Sequence, residues 1–306
     1  MTFHMRKYLL TGLILSALFS FNQATAQQDT TDLLSLLGPE EPTTTYTYAT
    51  FKSSRVINMH SVENPATGVM DFRISHRFGT INSGAENLFG LDQAYMRLGF
   101  EFGITDRLMA GFGRSNVNKE VDGFLKFKIL KQSSGQRNMP ISMSFFSSMV
   151  IRTTAWEHPE RENYFSSRLY YCNQLLIARK FNEALSIQIS PTMVHRNLVP
   201  DSTVKNDVYA AGIGGRYKLT KRTTFNLEYV YVLPDQIEDM YKNSFSVGFD
   251  IETGGHVFQL HLTNSKPMNE KGFITETTGE WSKGDIQFGF NVSRVFTVHR
   301  SKKPTE

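Results

Sequence analysis

Between Gln93 and Gly113 the chain reads QAYMRLGFEFGITDRLMAGFG, and its apolar residues fall on every second position. Ala94, Met96, Leu98, Phe100, Phe102 and Ile104 alternate with Gln93, Tyr95, Arg97, Gly99, Glu101 and Gly103. Period two places one set on each face of a strand, whereas a helix would scatter them around its cylinder. Thr105-Asp106-Arg107 turns the chain, and Leu108, Ala110 and Phe112 resume the apolar face. Strands of soluble proteins run about five or six residues, while a tilted strand crossing a bilayer needs about 9–11. The stretch therefore predicts a membrane-spanning hairpin.

The same alternation runs from Val69 almost to the end. Met70, Phe72, Ile74 and Phe78 oppose Asp71, Arg73, Ser75 and Arg77; Val121, Leu125 and Phe127 oppose Lys126 and Lys128. Segments 141–151, 165–177, 185–190, 209–219, 225–231, 245–251, 258–262 and 286–292 repeat it, giving twelve strands. Short connections (105–107, 181–183, 220–222, 254–255) alternate with longer ones (80–92, 115–119, 154–163, 197–206, 234–243, 265–284), with 132–139 too long for its class. Outer-membrane barrels have an even strand count, short periplasmic turns and longer external loops. The expected fold is all-β: an antiparallel up-and-down transmembrane barrel of about twelve strands with an N-terminal periplasmic or lumenal segment.

Ahead of the barrel, residues 1–26 read as a signal peptide: Arg6 and Lys7, an apolar run from Leu9 to Phe21, then Ala24-Thr25-Ala26. Residues 27–68 form a leader. Within it, TFKSSRVINMHSV (50–62) alternates poorly and is read either as an imperfect strand or, preferably, as a candidate lumenal plug carrying Arg55 and His60. The barrel occupies 69–298, and 299–306 is a tail. The negative mean hydropathy agrees with strands that give half their residues to lipid and half to a lumen. The 24 Phe and 12 Tyr suit a lipid-facing surface, with Tyr164, Tyr170, Tyr171, Tyr209, Tyr229 and Tyr231 as candidates for interface girdles. A single cysteine excludes an intramolecular disulfide, and a net charge of +4 gives no support to nucleic-acid binding.

The polar face carries the candidate lumen-lining residues Arg73, Arg77, Arg97, Glu101, Lys126, Lys128, Arg168, Arg216, Glu228 and Asp250. They predict either a salt-bridge network or a wet passage whose basic excess favours anions. In an open passage, Arg97→Glu shifts selectivity towards cations. Glycines concentrate on this face, leaving room for tight curvature or for an inserted segment. Catalytic and metal patterns are absent: His60 and Ser61 are adjacent and would point to opposite faces, and the histidines show no metal-ligand spacing. No metal, cofactor or enzymatic activity is expected.

TFKSSRVINMHSVE (50–63), MDFRISHRFGTINSGAENLFGLDQAYMRLGFEFGITDRLMAGFGRS (70–115) and DGFLKFKIL (122–130) resemble an outer-membrane β-barrel family of Gram-negative bacteria with no assigned activity. The resemblance implies a signal-directed barrel in the bacterial outer membrane, with lipid and the barrel assembly machinery as partners. Its C-terminus departs from common practice, because ten residues follow Phe296. Two functions compete: porin-like passage of small polar or anionic solutes, or a closed barrel that binds a ligand or partner through loops such as 80–92 and 265–284. A barrel hydrolase is the third reading. No feature of the chain sets an oligomeric state.

Overall fold

Alternation becomes geometry in the computed structural model, which describes residues 43–299 apart from Glu157 and Ser202. The expected signal peptide, residues 27–42 of the leader and residues 300–306 of the tail lie outside the described residues. In chain order the strands are β1 (Thr44–Tyr46), β2 (Val69–Thr80), β3 (Ala94–Gly103), β4 (Leu108–Ser115), β5 (Glu120–Leu130), β6 (Ser133–Gly135) and β7 (Ser142–Arg152). They continue with β8 (Leu169–Lys180), β9 (Leu185–Arg196), β10 (Asp207–Lys218), β11 (Thr223–Val232), β12 (Ser244–Thr253), β13 (His256–Thr263) and β14 (Gln287–Thr297). All but β1 and β6 form one closed antiparallel barrel of twelve strands, as the alternation predicts.

Neighbours in sequence pair in space, and β14 closes on β2 with Val292 opposite Ile74. The barrel strands are 8–12 residues long, centred on the about 9–11 that a tilted transmembrane strand requires. Outward residues are the apolar set: Leu98, Phe112, Leu125, Phe127 and Phe145 are all exposed. Some pair across strands. Phe72, Phe100 and Phe112 occupy adjacent registers with ring centroids 5.0 and 5.2 Å apart. Such aromatic contacts add about 0.5–1.5 kcal/mol each beyond the area they cover.

The short turns lie at one end. Gly254 and Gly255 both take positive φ (48° and 94°), the requirement of a two-residue turn that follows strand twist. The connection at 132–139 exceeds its class because it contains β6, which pairs with β1 in a separate two-stranded ribbon, Thr44 opposite Gly135. The strand at 165–177 starts later than expected. Phe165–Arg168 form a 3-10 turn, and β8 begins at Leu169.

Candidate functional site: the barrel interior

Residues 50–63 contribute no strand to the barrel. They double back on themselves, with the Val56 amide donating to the Met59 carbonyl and the Ser61 amide to the Ser54 carbonyl, both at 2.8 Å. At the tip, three successive amides converge on one carboxylate. The N–H groups of Ile57, Asn58 and Met59 donate to Glu228 Oε2 at 3.0, 2.9 and 2.9 Å. Successive backbone amides of a turn make a concave anion site, and here the anion is a strand residue.

The inner wall recognises the rest of this segment largely through its backbone. Lys126 Nζ donates to the carbonyls of Ser61 and Glu63 at 2.9 and 2.6 Å. Arg216 Nη1 donates to those of Ala49 and Thr50 at 2.8 and 3.1 Å. Gln188 Nε2 reaches the His60 carbonyl at 2.7 Å while its Oε1 accepts from the Val62 amide at 3.0 Å. Gln259 Nε2 serves both the Val56 carbonyl and Asp250 Oδ1 at 2.6 Å. Arg77 Nη2 donates to Asn58 Oδ1 at 2.7 Å, and Arg73 Nη2 to Ser54 Oγ at 3.2 Å. Phe51, Val56 and Val62 pack on Met109, Phe124, Phe146 and Leu176. Gly214 allows the approach, since a Cβ there would stand 3.2 Å from Val56 Cγ2.

A second stretch enters from the other end. The β13–β14 connection folds inward and carries a short helix, α1 (Glu270–Thr275), capped by Asn269, whose side chain accepts from the Gly272 amide at 2.9 Å. Phe273 and Ile274 join Met59, Val194, Val208, Val230 and Val232 in an apolar cluster. Lys271 Nζ, fully buried, sits 2.8 Å from Glu120 Oε1 and 2.5 Å from Glu276 Oε1. The two stretches meet where Arg55 Nη1 donates to Glu270 Oε1 at 2.5 Å. Arg55 Nε also lies 3.5 Å from Glu101 Oε1.

His60 sits in an aromatic slot, its ring centroid 4.6 Å from Phe124 and 4.3 Å from Phe146. Burial, reinforced by the nearby Arg55, Lys126, Arg97 and Arg73 charges, holds its pKa well below the ordinary 6.5, so the ring is neutral. Ser61 Oγ donates to the Ser53 carbonyl at 2.6 Å rather than to His60.

Of the residues expected to line the lumen, Arg73, Arg77, Arg97, Glu101, Lys126, Arg216, Glu228 and Asp250 do face inward, and all are buried. Arg97 pairs with Asp122, Nε to Oδ1 at 2.9 Å. Lys128 shares the inward phase, half-buried next to a register shift at the short-turn end of β5, and lines a cleft with Val62 and Glu63. One expectation needs correction. Arg168 lies in the 3-10 turn before β8, among the long loops, where its Nη1 donates to the carbonyls of Arg152 and Thr154. Tyr170 is likewise no girdle residue, since it faces inward and is buried.

The expected basic excess shrinks to one among the described buried side chains. Eight basic side chains are buried (Arg55, Arg73, Arg77, Arg97, Lys126, Arg196, Arg216, Lys271) against seven acidic ones (Asp71, Glu101, Glu120, Asp122, Glu228, Asp250, Glu270). Extending the inward phase of β5 back from Lys126 would have found Asp122 and Glu120. No comparable signal marked Glu270 and Lys271, because a six-residue helix shows too little periodicity to read.

The barrel is similar to solved porins at low identity. The "NanC porin" aligns with a TM-score of 0.46 and 9% identity, over 74% of this chain and 98% of that one. The "KdgM porin" aligns with a TM-score of 0.45 and 12% identity, over 76% and 99%. TM-scores below 0.5 leave function to be argued from the site itself. No curated protein matches the sequence. A family model described as "Membrane bound beta barrel domain (DUF5777)" matches residues 51–296, so it takes in the doubled-back segment together with nearly the whole barrel, and the chain belongs to that family.

Proposed function

We propose that this outer-membrane barrel is closed at rest and acts through its long-loop face, rather than serving as a standing pore for small polar or anionic solutes. One observation carries the reading: most inward charges that would line a passage (Arg73, Arg77, Glu101, Lys126, Arg216 and Glu228) are engaged by residues 49–63 and Glu120 by the β13–β14 connection, while Arg97 and Asp250 are bonded within the wall. Hydrogen bonds to charged groups contribute about 1.5–3 kcal/mol each. Glu228 and Lys126 alone account for five bonds to the doubled-back segment. An emptied lumen is therefore a rare state.

A passage gated by withdrawal of residues 50–63 is the second reading. It is favoured by their seating, which uses side-chain and backbone hydrogen bonds but no barrel strand pairing. Planar-bilayer conductance of the full chain, with insertion verified independently, separates the two. The closed barrel is silent. Stepwise conductance from the intact protein would remove the closed reading, and steps seen only after deletion of 50–63 would establish the gated one.

A further inference from the structure

A cleft of about 370 Å³ opens at the long-loop end, lined by the 153–168 connection, the ends of β7 and β8, and Leu198. None of the lumenal contacts described above uses it. Among the described residues its charged lining is Arg152, Arg161 and Arg168 against Glu162, with His158, Thr154, Asn163 and Ser167 beside them. Its walls are flat and apolar, formed by Trp156, Tyr164 and Tyr170.

The guanidinium groups are held by the fold. Arg168 lies over the Trp156 ring, 3.7 Å from its centroid, and donates to two backbone carbonyls at 2.9 and 2.5 Å. Those carbonyls orient the group without neutralising it. Asn163 Nδ2 donates to the carbonyls of His158 and Arg161, both at 2.8 Å, and so fixes the short turn that presents Arg161. Arg161 is largely exposed, with its Nε 4.0 Å from Glu160, a loose surface pair. Arg152 forms the floor, its guanidinium over the Tyr170 ring at 5.6 Å and its Nη2 2.9 Å from Glu276 Oε1. Glu276 thus displays the kind of group this floor accepts, a carboxylate.

Planar guanidinium groups match carboxylates in two-point geometry, and an aromatic wall favours a ring over a chain. A cleft of this volume suits a small ligand. We infer that this cleft is a binding site for a small ring-bearing carboxylate, with Arg161 and Arg168 on the charge and Trp156 and Tyr164 against the ring. The inference rests on the reading of the barrel as closed and working through its long-loop face.

The test is isothermal titration of the full chain, refolded in neutral detergent, with three matched probes. Cyclohexanecarboxylate carries ring and charge, cyclohexanecarboxamide keeps the ring alone, and acetate keeps the charge alone. Saturable binding is expected for the first and at least about tenfold weaker binding for the other two. Arg161→Glu, at an exposed position remote from the lumenal contacts, is expected to weaken the first probe about tenfold or more, and Arg161→Lys to restore part of that loss. Trp156→Ala should weaken it several-fold while leaving acetate unchanged.

No saturable binding, equal binding of the amide or of acetate, or an unaltered Arg161→Glu variant would overturn the site. A silent bilayer with no heat of binding removes the site and leaves the closed barrel standing. A conducting bilayer removes the closed barrel whatever the titration gives.

Discussion

Two stretches fill the same lumen from opposite ends, and they are held in different ways. Residues 50–63 are gripped mainly by their backbone, with amides on Glu228 and carbonyls on Lys126, Arg216, Gln188 and Gln259. The β13–β14 connection is gripped by its side chains: Lys271 between two carboxylates, Phe273 and Ile274 in an apolar cluster, Glu270 on Arg55. Recognition of backbone tolerates changes in the inserted sequence but not in the wall that reads it. Recognition of side chains reverses this. The wall residues facing 50–63 and the inserted residues of α1 are therefore where substitution should cost most.

Glu228→Ala should give the largest effect. It leaves three buried amides without their acceptor, at about 1–3 kcal/mol for each orphaned group. The barrel strands keep their pairing, so β-sheet circular dichroism should persist while residues 50–63 become sensitive to protease. A segment that stays protected in this variant would show that the Glu228 site is dispensable and that Lys126, Arg216, Gln188 and Gln259, with the apolar contacts of Phe51, Val56 and Val62, suffice to hold it. Lys271→Met comes next. It leaves buried Glu120 with Asn269 and only a long contact to Arg152, while Glu276 keeps its bond to Arg152, and breaking a buried pair from one side costs about 3–5 kcal/mol. Cleavage should then appear within 264–280 and not within 50–63. Joint release of both stretches would mean that the Arg55–Glu270 contact couples them into one unit.

The sequence made the barrel wall legible and its contents much less so, for a physical reason. A strand with lipid on one side and protein on the other must alternate, and Ala94 to Ile104 records that constraint residue by residue. Inward positions face no such uniform partner. Arg97, Glu101 and Lys126 were recognisable as inward by their phase, yet what they bind depends on chain far away in sequence. Segment 50–62 could be set apart because it fails to alternate. Its tip amides, the groups that Glu228 captures, carry no side-chain signature at all. Arg168 was misplaced because alternation continues through Phe165–Arg168, where the backbone has already left the sheet.

The smallest effect is expected at His60, and it is the sharpest probe of the contrast. A buried histidine invites a role, and Glu270 Oε1 lies 3.5 Å from its Nε2. Neither ring nitrogen has a hydrogen-bond partner among the described residues, and the ring is neutral in its slot between Phe124 and Phe146. Its contribution is then that of an aromatic plate, while its carbonyl, held by Gln188, belongs to the backbone grip. His60→Phe keeps the plate and the carbonyl and removes two unpaired polar atoms. Stability towards urea in lipid vesicles should shift by less than about 1 kcal/mol, in either direction. A loss of about 2 kcal/mol or more would show that the imidazole itself is being read, and the segment would then join α1 among stretches recognised by side chain.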